Sequence, residues 1–206
     1  MKRYLLLMAI ACISAAAWAQ KADAALVVGG AFTSDIQQTF TPTVGPSVVE
    51  TFKFDHHVFL EGAASVRLLN AHLASLHLEL PVAGIPSQST PTALGTAPFH
   101  LSALFITPGL KIKLLPISPI SPWVSAGGGW ARYSSDESTL TVNKGALQYG
   151  GGLDFKTGLP LLGFRAEVRD FVTSDPSALI AGPSTTPMKG LHHHSVLVGG
   201  GIVLRF

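Results

Sequence analysis

Apolar and polar positions alternate along most of this chain, and the period of two makes each such segment a β-strand with one greasy and one polar face. The clearest case is LGFRAEVR, where Phe164, Ala166 and Val168 oppose Arg165, Glu167 and Arg169. In HVFLEGAASVRLL, Val58, Leu60, Gly62, Ala64, Val66 and Leu68 oppose Glu61, Ser65 and Arg67. LASLHLELPV sets Leu76, Leu78, Leu80 and Val82 against Ser75, His77 and Glu79. LFITPGLKIK sets Leu104, Ile106, Leu110 and Ile112 against Thr107, Lys111 and Lys113. ALQYGGGLDF sets Leu147, Tyr149, Leu153 and Phe155 against Gln148 and Asp154. AALVVGGAF near the start, SPWVSAGGGWARY in the middle, whose two faces the pattern does not distinguish, and SVLVGGGIVLRF at the end complete eight strands.

A soluble antiparallel sheet also alternates, with its charges in water, so a secreted β-sandwich or lipocalin-like barrel is the competing reading. Three features favour a membrane barrel with the apolar face outside. The polar faces carry small residues such as Ala63, Ser65, Gly109, Gly150 and Gly152, which suit a crowded lumen. The apolar faces extend over the roughly 9 to 11 residues that a tilted membrane strand requires. The last strand is apolar up to Phe206, without a polar tail. The connections agree. Taking the first strand to start in the periplasm, the outward links span Thr33 to Phe54, Ala83 to Pro98, Ser134 to Val142 and Ser174 to Leu191. The inward ones are a turn near Asn70, Pro116 to Pro122 and Thr157 to Leu161. Long outer loops and short periplasmic turns are the usual asymmetry of such barrels.

The first residues, MKRYLLLMAIACISAAAWAQ, have a basic start, an apolar run and small residues around Trp18. This predicts a secretory signal peptide over residues 1–19 and a barrel domain over 20–206. Cys12 as a lipid-attachment site is the weaker alternative, because Ala9 stands where a larger aliphatic residue belongs. Cys12 is the sole cysteine, so the exported chain has no disulfide framework and no cysteine metal site. Lys2 and Arg3 account for the formal charge of +2 and leave the remainder near neutral, which argues against a nucleic-acid partner. Charged residues make up 13% of the chain against a usual share of about 25%. The composition is that of a membrane protein, and the pattern is not helical.

The segment VLVGGGIVLRF, with its terminal aromatic and the alternating apolar residues behind it, resembles the C-terminal signal of the small eight-stranded outer-membrane barrels of Gram-negative-type bacteria, the outer membrane protein A and W types. The resemblance implies that Ile202, Leu204 and Phe206 are read by the barrel-assembly machinery during biogenesis, with periplasmic chaperones, and that the partners in place are outer-membrane lipid and lipopolysaccharide. The resemblance to the A type is carried by the barrel alone and does not imply that type's peptidoglycan-binding domain.

An eight-stranded barrel has an interior just wide enough to be filled by side chains or to hold one small ligand. Glu61, Arg67, Glu79, Lys111, Lys113, Asp154, Arg165, Glu167 and Arg169, with Arg132 as a further candidate, fall on the lumen face and are expected to pair across strands. Pro108 lacks the donor for its place in the ladder and predicts a bend. Asp170 falls on the lipid face and requires a position near the outer interface. In HHHS, His193 and Ser195 share one face while His192 and His194 share the other, so the run converges neither on a metal nor on a nucleophile-and-base pair. No catalytic residue, metal or cofactor is expected. The reading is a structural, loop-presenting outer-membrane barrel. A gated passage for small solutes or hydrophobic molecules and a lipid-modifying enzyme are the alternatives.

Overall fold

The computed structural model describes residues 22–40, 48–52, 56–90, 99–135, 141–159, 161–174 and 192–206. All regular structure among them is β-strand: β1 Ala22–Thr33, β2 Ile36–Phe40, β3 Val48–Phe52, β4 His57–Asn70, β5 Ala74–Thr90, β6 Phe99–Ile106, β7 Gly109–Leu114, β8 Ile120–Ser135, β9 Thr141–Lys156, β10 Leu162–Ser174 and β11 His192–Arg205. β1, β4, β5, the collinear pair β6 and β7, β8, β9, β10 and β11 form a closed antiparallel barrel of eight staves. The seam is β1 against β11, from Asp23 opposite Arg205 to Thr33 opposite Ser195. Phe206 N donates to Ala22 O at 2.9 Å at its end. Closure leaves no unpaired edge, as a stave in lipid requires. The signal-peptide reading of residues 1–19 lies outside the described residues.

Side chains obey the alternation throughout. Glu61, Glu79, Lys111, Asp154, Arg165 and Arg169 are buried inside. Leu26, Leu60, Leu78, Leu110, Val124, Leu147, Phe164 and Val198 stand exposed outside. An apolar belt of this extent has no stable place in water, and its natural solvent is the bilayer. The end bearing Ala22 and Phe206 also carries the short turns 71–73, 115–119 and 157–161, so the longer connections lie at the opposite end. In the turn before β8, Leu115 takes a left-handed φ of 47°, and its carbonyl accepts from Ser118 N and Ser121 Oγ, both at 3.0 Å.

Three details differ from the sequence expectation. The stave read as one strand through Pro108 is two strands meeting at Thr107 and Pro108. Thr107 N donates to Pro81 O at 3.3 Å and Gly128 N to Pro108 O at 3.1 Å, so the break is stitched on both sides and the facing of residues does not shift across it. The first outward link contains a hairpin, β2 against β3. The second is shorter than expected because β5 continues past Ala83 to Thr90. After a register shift between Ile85 and Gln88 it pairs again with β6. Backbone ladders form there irrespective of the polar side chains, which is why hydrophobic alternation did not report them.

Candidate functional site

The lumen is stratified. In the half nearer the short turns, four cations and five carboxylates interlock around one indole. Arg169 sits at the centre. Its two terminal nitrogens each donate to Glu79 at 3.1 Å, one also to Ser125 Oγ at 3.1 Å and the other to Glu167 at 3.4 Å. Its Nε lies 3.0 Å from Glu61 at a poor hydrogen-bond angle, an ion pair more than a directed bond. Arg165 grips Asp154 with two bonds, at 2.8 and 3.3 Å. Lys111 donates to Glu79 at 2.8 Å and to Ser65 at 3.0 Å, and Lys113 bridges Asp154 at 2.7 Å and Asp23 at 2.9 Å. Trp123 lies beneath three of the cations, with both guanidinium carbons 4.9 Å and Lys111 Nζ 5.7 Å from its ring centroids. Gly152 makes room for it, since a Cβ there would come within 2.8 Å of the indole. Paired bidentate bonds of this kind are how charges are kept in a dry interior.

The half nearer the long connections carries an apolar layer, with buried Gln148, Thr173, His193 and Ser195 beside and above it. Phe59, Ile85, Leu101, Phe105, Tyr133, Phe171 and Leu197 form one buried cluster across the bore, with Phe105 and Phe171 rings 4.7 Å apart and Phe105 edge-on to Tyr133 at 6.0 Å. Tyr133 Oη shares a 2.8 Å hydrogen bond with Thr173 Oγ1 above them. This apolar layer was invisible in the sequence. Parity placed its members on the polar face of each strand, where the charges drew attention.

Of the residues read as lumen charges, eight are brought together and Arg67 is not. It lies half-buried opposite His77 at the turn end of β4, with no ion pair among the described residues. Arg132 is a correction. It stands exposed on the outer face of β8, because Trp123, Ser125, Ala131 and Tyr133 take the inner positions of that strand. Asp23 was missed, although it shares the parity of Ala25 and Val27, which face inward. Asp170 faces outward as expected. There it accepts from Tyr149 Oη at 2.6 Å and lies 2.7 Å from His194 Nδ1, the acidic partner of the histidine run that sequence did not identify. His193 and Ser195 are buried on the inner face. His193 Nδ1 is 3.3 Å from Ser34 Oγ, and Ser195 Oγ has no hydrogen-bond partner among the described residues. Ile202, Leu204 and Phe206 line the outer face of the seam strand.

The fold is that of the small eight-stranded outer-membrane β-barrels. Neisserial surface protein A is similar to this chain at a TM-score of 0.52 and 12% identity, over 90% of this chain and 97% of that one. OprG of Pseudomonas aeruginosa is similar at a TM-score of 0.53 and 12% identity, over 91% of this chain and 97% of that one. No family model matches the sequence, and no curated protein sequence matches it.

Proposed function

We propose that this chain is a non-enzymatic barrel of the bacterial outer membrane whose lumen is permanently sealed and whose role is structural, carrying its loops outside the cell. The observation that carries the reading is the double closure of the bore, an aromatic layer stacked on an ion-paired one. An ion crossing it would have to displace Phe105 and Phe171 and then break the bidentate Arg169–Glu79 and Arg165–Asp154 pairs. The likeness to two outer-membrane barrels supports the location. The burial of His193 and Ser195 inside the bore supports the absence of lipid chemistry, since no membrane lipid reaches them.

The test is made in two parts. Fractionation should place the protein in the outer membrane as a band that shifts on boiling in detergent gels. Reconstituted in planar bilayers, it should show no steady conductance, whereas Phe105→Ala with Phe171→Ala should open transient current steps. Steady conductance of the unaltered protein would remove the sealed-barrel reading.

Ile202, Leu204 and Phe206 are proposed as the segment that the assembly machinery reads. Their side chains are 40%, 40% and 51% exposed, so they contribute little to packing within the barrel. Phe206→Ala should therefore lower the assembled fraction in cells by more than its effect on the purified barrel accounts for, that effect being about 1.5 to 3 kcal/mol for the lost lipid burial of one aromatic side chain. Equal losses in both would make Phe206 a packing residue.

A further inference from the structure

The outer wall carries a groove of about 720 Å³ between β1 and β8. Its floor comes from two glycines. Gly84 stands opposite Leu60 on one side and Leu104 on the other, and Gly62 stands between Leu26 and Val82, diagonally adjacent. Neither glycine is required by the backbone. A Cβ on Gly62 would meet nothing within 4 Å, and one on Gly84 only the Leu60 carbonyl oxygen at 4.0 Å. The absent side chains therefore leave open space on the lipid face. At the end of the row Leu60, Gly84, Leu104 stands Arg132, directly opposite Leu104 and beside Asn143. One step nearer the long connections, Ser102 donates to the Ser134 carbonyl at 3.2 Å.

Arg132 is exposed on this face and has no carboxylate partner among the described residues. An unpaired guanidinium facing lipid is unfavourable unless it reaches the interface or an anion. It lies three positions before the end of β8 at Ser135, on the side of the long connections, hence at the level of the outer leaflet headgroups.

We propose that this groove seats one acylated, phosphorylated sugar lipid of the outer leaflet, the lipid anchor of lipopolysaccharide, with an acyl chain over Gly62 and Gly84 and a phosphate on Arg132. Charge complementarity selects the anion, and the guanidinium fork suits a phosphate. The hydrogen-bonding groups of Asn143 and Ser134 around that charge favour a sugar-phosphate headgroup over a simple glycerol phosphate. The four strand spacings from β1 to β8, about 4.8 Å each, match the span of a fatty-acyl chain. The inference rests on the outer-membrane reading and is separable from it, because fractionation and conductance test that reading without reference to Arg132.

Native mass spectrometry of the full barrel released from detergent micelles tests the proposal, with bisphosphorylated lipid A, its dephosphorylated form and phosphatidylglycerol as probes. Folding of every variant is verified by the heat-induced gel shift. The unaltered barrel should retain a single bisphosphorylated lipid A at least tenfold more strongly than either other lipid. Arg132→Gln should lower retention to that of the dephosphorylated form, with Arg132→Lys in between. Gly84→Leu, which fills space and removes no charge, should weaken lipid A and its dephosphorylated form alike. Unchanged retention in Arg132→Gln or in Gly84→Leu would overturn the proposal, as would phosphatidylglycerol binding as well as lipid A.

Discussion

Replacing Glu79 with alanine is expected to destabilise the folded barrel by about 3 to 5 kcal/mol, the cost of stranding buried charge by removing its partner. The carboxylate accepts from Lys111 and from both terminal nitrogens of Arg169, and Arg165 approaches it at 3.7 Å. Its loss leaves three cations crowded over Trp123 with one carboxylate fewer. Glu167 makes only longer contacts, 3.4 Å to Arg169 and 3.8 Å to Arg165, so Glu167→Ala should cost distinctly less. Urea unfolding in lipid vesicles, followed by tryptophan fluorescence and gel shift, measures both. A Glu79→Ala loss no larger than that of Glu167→Ala would mean that water enters the lumen and solvates the cluster.

The second large effect is expected at the seam. Gly201 lies opposite Val27, and a Cβ there would collide with the Leu26 carbonyl oxygen and come within 2.7 Å of Val27 Cα. Both obstacles are backbone, so no rotamer change relieves them. Gly201→Val should force β1 from β11 and cost about 3 kcal/mol, the upper range for overpacking. The heat-shifted band should fall steeply in refolding assays. Gly200→Ala is the control, because its Cβ would meet only the Arg165 carbonyl oxygen at 3.5 Å, an ordinary contact. If the two variants refold equally, the close approach of β1 and β11 is not a property of the protein in lipid.

The architecture was legible because strand facing is a local property. Arg165, Glu167 and Arg169 alternate with Phe164, Ala166 and Val168 in the chain and in space alike, and a charged inner face with an apolar outer one implies a membrane barrel. Pro108 marked the place of the irregularity between β6 and β7, as a bend within one strand, for an equally local reason, its missing donor. The ionic half of the lumen followed from parity. The aromatic half did not, because Phe59, Phe105 and Phe171 on a face that also carries charges look like exceptions until closure places them at one level. The middle stave was ambiguous in the sequence, and with it the side taken by Arg132.

By itself, then, the sequence determined the all-β class, the eight staves, which side of most of them meets lipid and which residues are candidates for the lumen. These follow from side-chain alternation and turn chemistry over a few neighbouring residues. Only the tertiary structure decided who meets whom. Glu79 and Arg169 lie 90 positions apart, and their bidentate pair exists because barrel closure and stagger bring β5 and β10 to face each other across the bore. The same closure separated the lumen into an aromatic and an ionic layer, and inter-strand register turned two glycines and an arginine on different strands into one groove. Such matches depend on register between distant strands, which alternation within a single strand does not encode.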